Sequence, residues 1–266
     1  MRYIGMDLAW GLSGKTGLAA VDAQGVLLAV CDAQSDGQII AWVRAWAPGD
    51  CFVAIDAPLI VPNLSGQRTC ERLVGRYFGR YNASCHSSNL SHAHFKDGSR
   101  GMRLADSLSL DADPASKGKR RAAEVYPHPA IVSLFHLPTV LRYKNKSGRD
   151  LELLRSEMQR LLDLVESLES APVPLHVRQD PGWQRIRVTV GSADRKSALA
   201  KVEDSIDAVV CSYVAMVAVQ APESVRVIGD GVEGYILTPV SPEVADRIDQ
   251  DRANGFTLRH PGRSRT

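Results

Sequence analysis

The chain is short of aromatic residues, at 6% of its 266, and nowhere runs through the ~18 consecutive apolar residues that a membrane span needs. No charged leader precedes its first strand-like run, so neither secretion nor membrane insertion is expected. A cysteine framework is missing too. Cys31, Cys51, Cys70, Cys85 and Cys211 are odd in number, scattered and without a C-x-x-C pair, which reads as reduced thiols in a cytoplasmic protein. Nor is there a surplus of either charge: 32 Lys and Arg stand against 30 Asp and Glu, so any nucleic-acid footprint must be local. No repeat, linker or low-complexity tract divides the sequence. With 44% hydrophobic residues it can bury a full core as one domain over 1–266.

Strand-like and helix-like signals alternate along it. Tyr3 to Leu8, Gly17 to Val21 and Val26 to Cys31 are short apolar runs, the second and third joined by "DAQG", and predict an antiparallel three-stranded meander. Ile39 to Trp46 carries a helical period behind "QSDGQ", and Cys51 to Ile55 returns to the sheet. Residues 61–118 keep no clean period and read as a long irregular insertion. Arg121 to Tyr126 predicts a fifth strand. Helices are expected over Asp150 to Leu168, after the N-cap Asp180 with Pro181 at its first position, and over Val202 to Val219. A short basic tail is expected over about 251–266.

Carboxylates interrupt these apolar segments at four places. Asp7 lies on the first strand, Asp56 ends the fourth in "FVAIDAP", Glu124 lies on the fifth, and Asp204 and Asp207 share one face of the late helix. Each has a plainer explanation. A turn cap would account for Asp7 or Asp56, an ion pair to Arg121 or a lysine for Glu124, and the helix macrodipole for one of the last two. If strands one and four are parallel neighbours, however, Asp7 and Asp56 meet at one sheet edge. Carboxylates sharing a site repel unless a positive charge sits between them, and Mg²⁺ or Mn²⁺, which take oxygen ligands, suit that place. Two such ions about 4 Å apart can activate a water and stabilise the leaving oxygen of a phosphodiester.

The strand "GMDLA" followed by a hairpin, the carboxylate after strand four and the helical D-x-x-D-A resemble the ribonuclease H-like superfamily, especially its Holliday-junction-resolvase branch. More closely, "IDAPL", "RTCER", "EVYPHPA", "YKNKSGR" and "EDSIDAVVCSYVA" resemble the domain of unknown function (DUF) family 429, predicted nucleases of that fold. The resemblance covers roughly the whole chain. It implies an α/β ribonuclease H-like domain with a mixed five-stranded sheet flanked by helices. By the same resemblance Asp7, Asp56, Glu124, Asp204 and Asp207 form the acidic metal-binding and catalytic set, with Asp56 where the resolvase branch carries Glu.

Basic residues form a second pattern. Arg68, Arg72, Arg76 and Arg80 recur every fourth residue, so a helix there would present a guanidinium stripe suited to phosphates, or a solvated face paired with Glu71. "SKGKRRAAE" adds Lys119 and Arg120, and "RYKNKSGR" adds Lys144 and Lys146. These are the candidate substrate contacts for DNA or RNA. In "NASCHSSNLSHAHF" the C-H-x5-H-x-H spacing lacks the paired arrangement of structural zinc sites and reads as a solvated loop. His128 in "YPHPA" reads as structural, near Glu124. The expectation is a metal-dependent nuclease. The alternatives are an actin-like or sugar-kinase-like phosphate binder, disfavoured by the single copy of the core, and a non-catalytic nucleic-acid- or metal-binding module.

Overall fold

Local chemistry sets the first elements. In "DAQG" the Asp22 carboxylate accepts the backbone N–H groups of Gln24 and Val26, both at 2.9 Å, and so turns the chain between two apolar runs. In "QSDGQ" the Ser35 hydroxyl accepts the Gln38 N–H while the Gln38 amide oxygen accepts the Ser35 N–H, a reciprocal cap that starts the first helix. The computed structural model describes residues 1–256, so the part of the expected basic tail beyond 256 lies outside the described residues. In chain order the elements are β1 (Arg2–Asp7), β2 (Thr16–Val21), β3 (Leu27–Ala33), α1 (Asp36–Trp46), β4 (Cys51–Ile55), α2 (Thr69–Phe78), α3 (Arg100–Ser107), β5 (Arg120–Glu124) and α4 (Pro127–Leu134). They continue with α5 (Leu151–Ser167), α6 (Pro181–Ser192), α7 (Lys196–Leu199), α8 (Glu203–Gln220), β6 (Val225–Asp230), β7 (Gly234–Pro239) and α9 (Pro242–Ala253).

The architecture is α/β, a mixed sheet in the order β3-β2-β1-β4-β5 with helices on both faces. β1, β2 and β3 run antiparallel as the expected meander, whereas β1, β4 and β5 are parallel. Burial explains the composition of the strands. With both faces covered, β2 and β4 are buried at every residue and read as unbroken apolar runs. Alternation then splits the core. Tyr3, Phe52 and Ala54 point to one face, under α8 and with Leu161 of α5 and Trp183 of α6; Ile4, Met6, Val53 and Ile55 point to the other, with Val43 of α1 and Leu104 of α3.

Two differences from the sequence reading follow from packing. The stretch 61–118 holds α2 and α3, and α2 buries Cys70, Val74, Tyr77 and Phe78 against β6, β7 and α9. That hairpin and last helix, the latter started by the Ser241 cap and Pro242, are not among the expected elements; with α2 they form a small third cluster around Ile228, Ile236, Val244 and Ile248. Among the described residues no helix is long and apolar enough to cross a membrane.

The position of α8 depends on two glycines. A Cβ at Gly5 would stand 1.8 Å from the Ala208 carbonyl oxygen, and one at Gly17 would stand 2.0 Å from that of Asp204. Helix and sheet are in backbone contact there, and a methyl group has nowhere to go. Gly5→Ala is therefore expected to destabilise the protein by about 1–3 kcal/mol or more, with α8 displaced. Chemical denaturation checks this, and an unchanged midpoint would contradict the close approach.

Candidate functional site

The parallel pairing of β1, β4 and β5 brings their C-terminal ends to one edge, where Met6 pairs with Ile55 and Ile55 with Glu124. Asp7 ends β1 on the face of Tyr3 and Gly5. Asp56, next after β4, follows Ala54 on the same face, and its N–H donates to the Met6 carbonyl at 2.8 Å. The first turns of α8, pressed onto Gly17 and Gly5, lay Glu203, Asp204 and Asp207 over that edge.

Asp207 is fully buried and doubly held. One carboxylate oxygen accepts the Tyr143 hydroxyl at 2.7 Å, and the other lies 2.5 Å from the Lys144 ammonium, which also reaches Glu203 at 3.8 Å. Lys144, expected among the substrate contacts, is thus an internal counter-ion: two successive residues of the loop after α4 close on one carboxylate. The charges nevertheless do not balance. Five carboxylates, Asp7, Asp56, Glu203, Asp204 and Asp207, surround this one ammonium, leaving four negative charges in excess when all ionise. Lys15, 3.6 Å from Asp32, acts from outside and on Asp204.

The titration behaviour reflects that imbalance. Burial and then the neighbouring carboxylates push Asp7 well above the usual carboxylate range, against the pull of Lys144. Asp56 is raised to about 7 and Glu203 to about 7, each by burial first and with Asp207 adding to the repulsion. Asp204 is raised to about 6 for the same reasons. Burial alone would lower Lys144, but Asp207, Tyr143, Asp7 and Asp56 hold it well above the ordinary lysine value.

Glu124 is placed differently. Ala122 faces α1 and α3 while Ala123 and Val125 face α8, so alternation turns Glu124 to the side of the sheet opposite Asp7 and Asp56. There Arg68 meets it through two hydrogen bonds of 2.5 and 2.9 Å, and the Leu59 N–H donates to it at 2.8 Å. Arg68 also bonds Glu71 at 2.9 Å, and Glu71 accepts the Ser88 N–H and hydroxyl. All three charged residues are at most 3% exposed. Glu124 does contribute to the raised value of Asp56, and both line a small cleft of about 50 Å³ with Trp10, His86 and Tyr126. Its own carboxylate is already satisfied, by an arginine other than the Arg121 that sequence proximity suggests.

The basic candidates separate accordingly. Arg68, expected at the substrate surface, is buried beneath it because its guanidinium holds Glu71 and Glu124 together. Arg72 bonds Thr69 at 3.3 Å, Arg76 pairs with Asp251 at 2.7 Å and Arg80 with Glu243 at 2.5 Å, so the stripe exists but its outer members carry acidic partners. Lys119 and Arg120 stand at the other end of β5, where Arg120 pairs with Cys51 and its guanidinium bonds the Ala47, Gly49 and Leu108 carbonyls. A five-residue strand spans roughly 16 Å, so the structure does not bring them to the carboxylates. Lys146 is exposed beside Lys144. In the His-rich loop, His92 and Phe95 pack their rings 5.8 and 5.1 Å from that of Trp10.

Two contributors escaped the sequence reading. Glu203 lies four residues before Asp207, the spacing that shares a helix face, and Tyr143 precedes Lys144 in the motif "RYK". With this geometry in place, the molecule is defined as an α/β protein carrying a buried acidic cluster at the C-terminal edge of its parallel strands. The family described as "Protein of unknown function (DUF429)" matches residues 5–233, and the chain belongs to it. No curated protein and no solved structure matches the chain.

Two outcomes are expected. A raised carboxyl binds its proton more tightly folded than unfolded, so the stability it adds is full below about pH 4 and lost as pH rises towards 7. Asp56→Asn should therefore gain on the wild type over that interval, by roughly 1–3 kcal/mol in metal-free denaturation, and a pH-independent gap would contradict the cluster's repulsion. Arg68→Ala, which strands Glu124 and Glu71 in the interior, should cost about 3–5 kcal/mol on the same assay; a cost below about 1 kcal/mol would show the pair to be peripheral.

Proposed function

We propose that the protein is a ribonuclease H-like, metal-dependent phosphodiester hydrolase acting on DNA or RNA. One observation carries the reading: Asp7, Asp56 and Asp207 converge at one sheet edge with more negative charge than Lys144 neutralises. The strand order β3-β2-β1-β4-β5, with the meander first and parallel strands after it, is the arrangement such a fold requires and supports the assignment. Free cysteines, with Cys51, Cys70 and Cys211 buried, suit a reducing cytoplasm.

The donor chemistry fits Mg²⁺ or Mn²⁺. Carboxylate oxygens are the ligands that hard cations take, and excess negative charge is what a divalent ion would neutralise. Asp7, Asp56 and Asp207 would hold it, with Asp204 and Glu203 nearest the rim. Among the described residues no three His, Cys, Asp or Glu side chains stand together as a group that could hold a metal ion, and Lys144 lies 2.5 Å from Asp207, so binding requires these side chains to draw together. When bound, the cation supplies an activated water and charge stabilisation for a phosphate. The protein groups do the rest. Tyr143 fixes the Asp207 carboxylate through its hydroxyl, Lys144 offsets part of the repulsion, and Glu203, titrating near neutrality, can take up or return a proton. The Lys144–Asp207 ion pair also favours a second reading, a nucleic-acid- or metal-binding module without turnover, because the pair leaves Asp207 partly neutralised.

Mn²⁺ at a hundredfold excess over Kd should stabilise the wild type by about 2.7 kcal/mol and Asp7→Asn by clearly less. The same substitution should abolish Mn²⁺-dependent cleavage of branched DNA, duplex DNA or RNA–DNA hybrid. Stabilisation without cleavage of any of these selects the binding module; equal metal responses in both proteins remove Asp7 from the site.

A further inference from the structure

Beside the acidic cluster lies a cavity of about 350 Å³ with the opposite character. Its lining includes Arg142, Lys146 and Arg149 from the loop that carries Lys144, together with His128, Asn82 and Thr139, and no carboxylate. Arg76, Arg80, Arg187 and Arg226, by contrast, each pair with an acidic side chain. No ion pair neutralises Arg142, Lys146 or Arg149 among the described residues. Arg149 instead donates to the Lys144 carbonyl at 2.8 Å, which ties the cavity's basic wall to the residue inside the cluster.

The polar remainder suits an oxyanion as well. The Asn82 amide donates to the Thr139 hydroxyl at 3.1 Å and that hydroxyl donates to the Tyr81 carbonyl at 3.3 Å, which leaves the second amide hydrogen of Asn82 for an anion. His128, buried, shares a 2.9 Å hydrogen bond with the Tyr126 hydroxyl through Nδ1 and sets its ring edge-on to Tyr143, the residue that holds Asp207. Burial and the surrounding Lys144, Lys146, His86 and Arg149 push His128 down to about 3, so it stays neutral and adds no fourth charge. An aromatic pair, His128 on Tyr143, is thus the wall between a cavity carrying three positive charges and a cluster with excess negative charge. Like charges gathered without partners repel one another, and a bound anion removes that cost.

We propose that this cavity is a phosphate subsite, which seats a backbone phosphate of the nucleic-acid strand next to the one presented to the carboxylates. The proposal rests on the hydrolase reading for its neighbour but stands on the cavity's own charges. Arginine and lysine side chains supply the donors that phosphate oxygens take, and the volume admits a nucleotide unit of a chain.

The test is binding of a short fluorescent oligonucleotide, in chelator, to the wild type and to Arg142→Gln/Lys146→Gln, both exposed positions whose replacement leaves the fold intact. The double variant should bind at least tenfold more weakly and lower the slope of log K against log salt by about 1–2. Arg149→Gln should add to the loss, and Asp7→Asn should bind as tightly as the wild type or tighter. Inorganic phosphate separates the sources: weak competition supports a polymer phosphate, whereas competition as tight as the oligonucleotide overturns that assignment in favour of a free anion. Unchanged affinity and salt slope in the double variant would overturn the subsite even if cleavage is seen. Binding that depends on Arg142 and Lys146, with no cleavage by the wild type, would sink the hydrolase reading and uphold the cavity.

Discussion

Where the parallel strands end, the structure depends on one ammonium group set among five carboxylates. Lys144 reaches Asp207 at 2.5 Å and Glu203 at 3.8 Å, and its charge opposes the repulsion felt by Asp7 and Asp56. Without it the cluster would keep only Lys15, acting from outside on Asp204, as counter-charge, at a cost of several kcal/mol for each ion removed from water. With it the balance is only partial. The raised values of Asp56, Glu203 and Asp204 express the remainder, and a further cation, proton or metal, is the natural way to discharge it.

That arrangement follows from backbone geometry before any charge is considered. Gly5 and Gly17 let α8 lie directly on β1 and β2, and this approach carries Glu203, Asp204 and Asp207 to the strand ends. The two-residue period then sorts the carboxylates: Asp7 and Asp56 share the α8 face, whereas Glu124 turns away to Arg68. The two faces use charge differently. Arg68, Glu71 and Glu124 form a closed network that fastens α2 to β5, while the α8 face keeps acidic groups in excess of their partners.

Much of this was legible in the residues. Periodicity marks β1 to β5, α1, α5 and α8, because each is an apolar run with clear turn or cap chemistry; the parallel pairing of the first and fourth strands is a condition placed on reading Asp7 and Asp56 together, and the structure contains it. The cluster of Asp7, Asp56, Asp204 and Asp207 was legible because each interrupts an otherwise buried segment. Glu124 carries the same signal, yet its partner is 56 residues away, and no local pattern distinguishes a carboxylate awaiting a cation from one already paired with Arg68. Lys144 shows the converse. As one basic residue in "RYKNKSGR" it looks like a surface contact, and only the tertiary fold turns its side chain inward while Arg142, Lys146 and Arg149 stay with the cavity outside. The hairpin of β6 and β7 and helix α9 escaped notice because their partners are distant in sequence: Ile228, Ile236, Val244 and Ile248 close over α2, while Tyr235 and Leu237 of β7 reach the main core beside β5.

The account's central claim is that a divalent cation completes the charge balance among Asp7, Asp56 and Asp207. Anomalous scattering from crystals soaked in Mn²⁺ tests it most directly, since it locates the ion without reference to activity. The predicted result is a peak within coordinating distance of Asp7 and Asp56 that is lost in crystals of Asp7→Asn. Wild-type crystals with ordered carboxylates, saturating Mn²⁺ and no peak at that edge would contradict it.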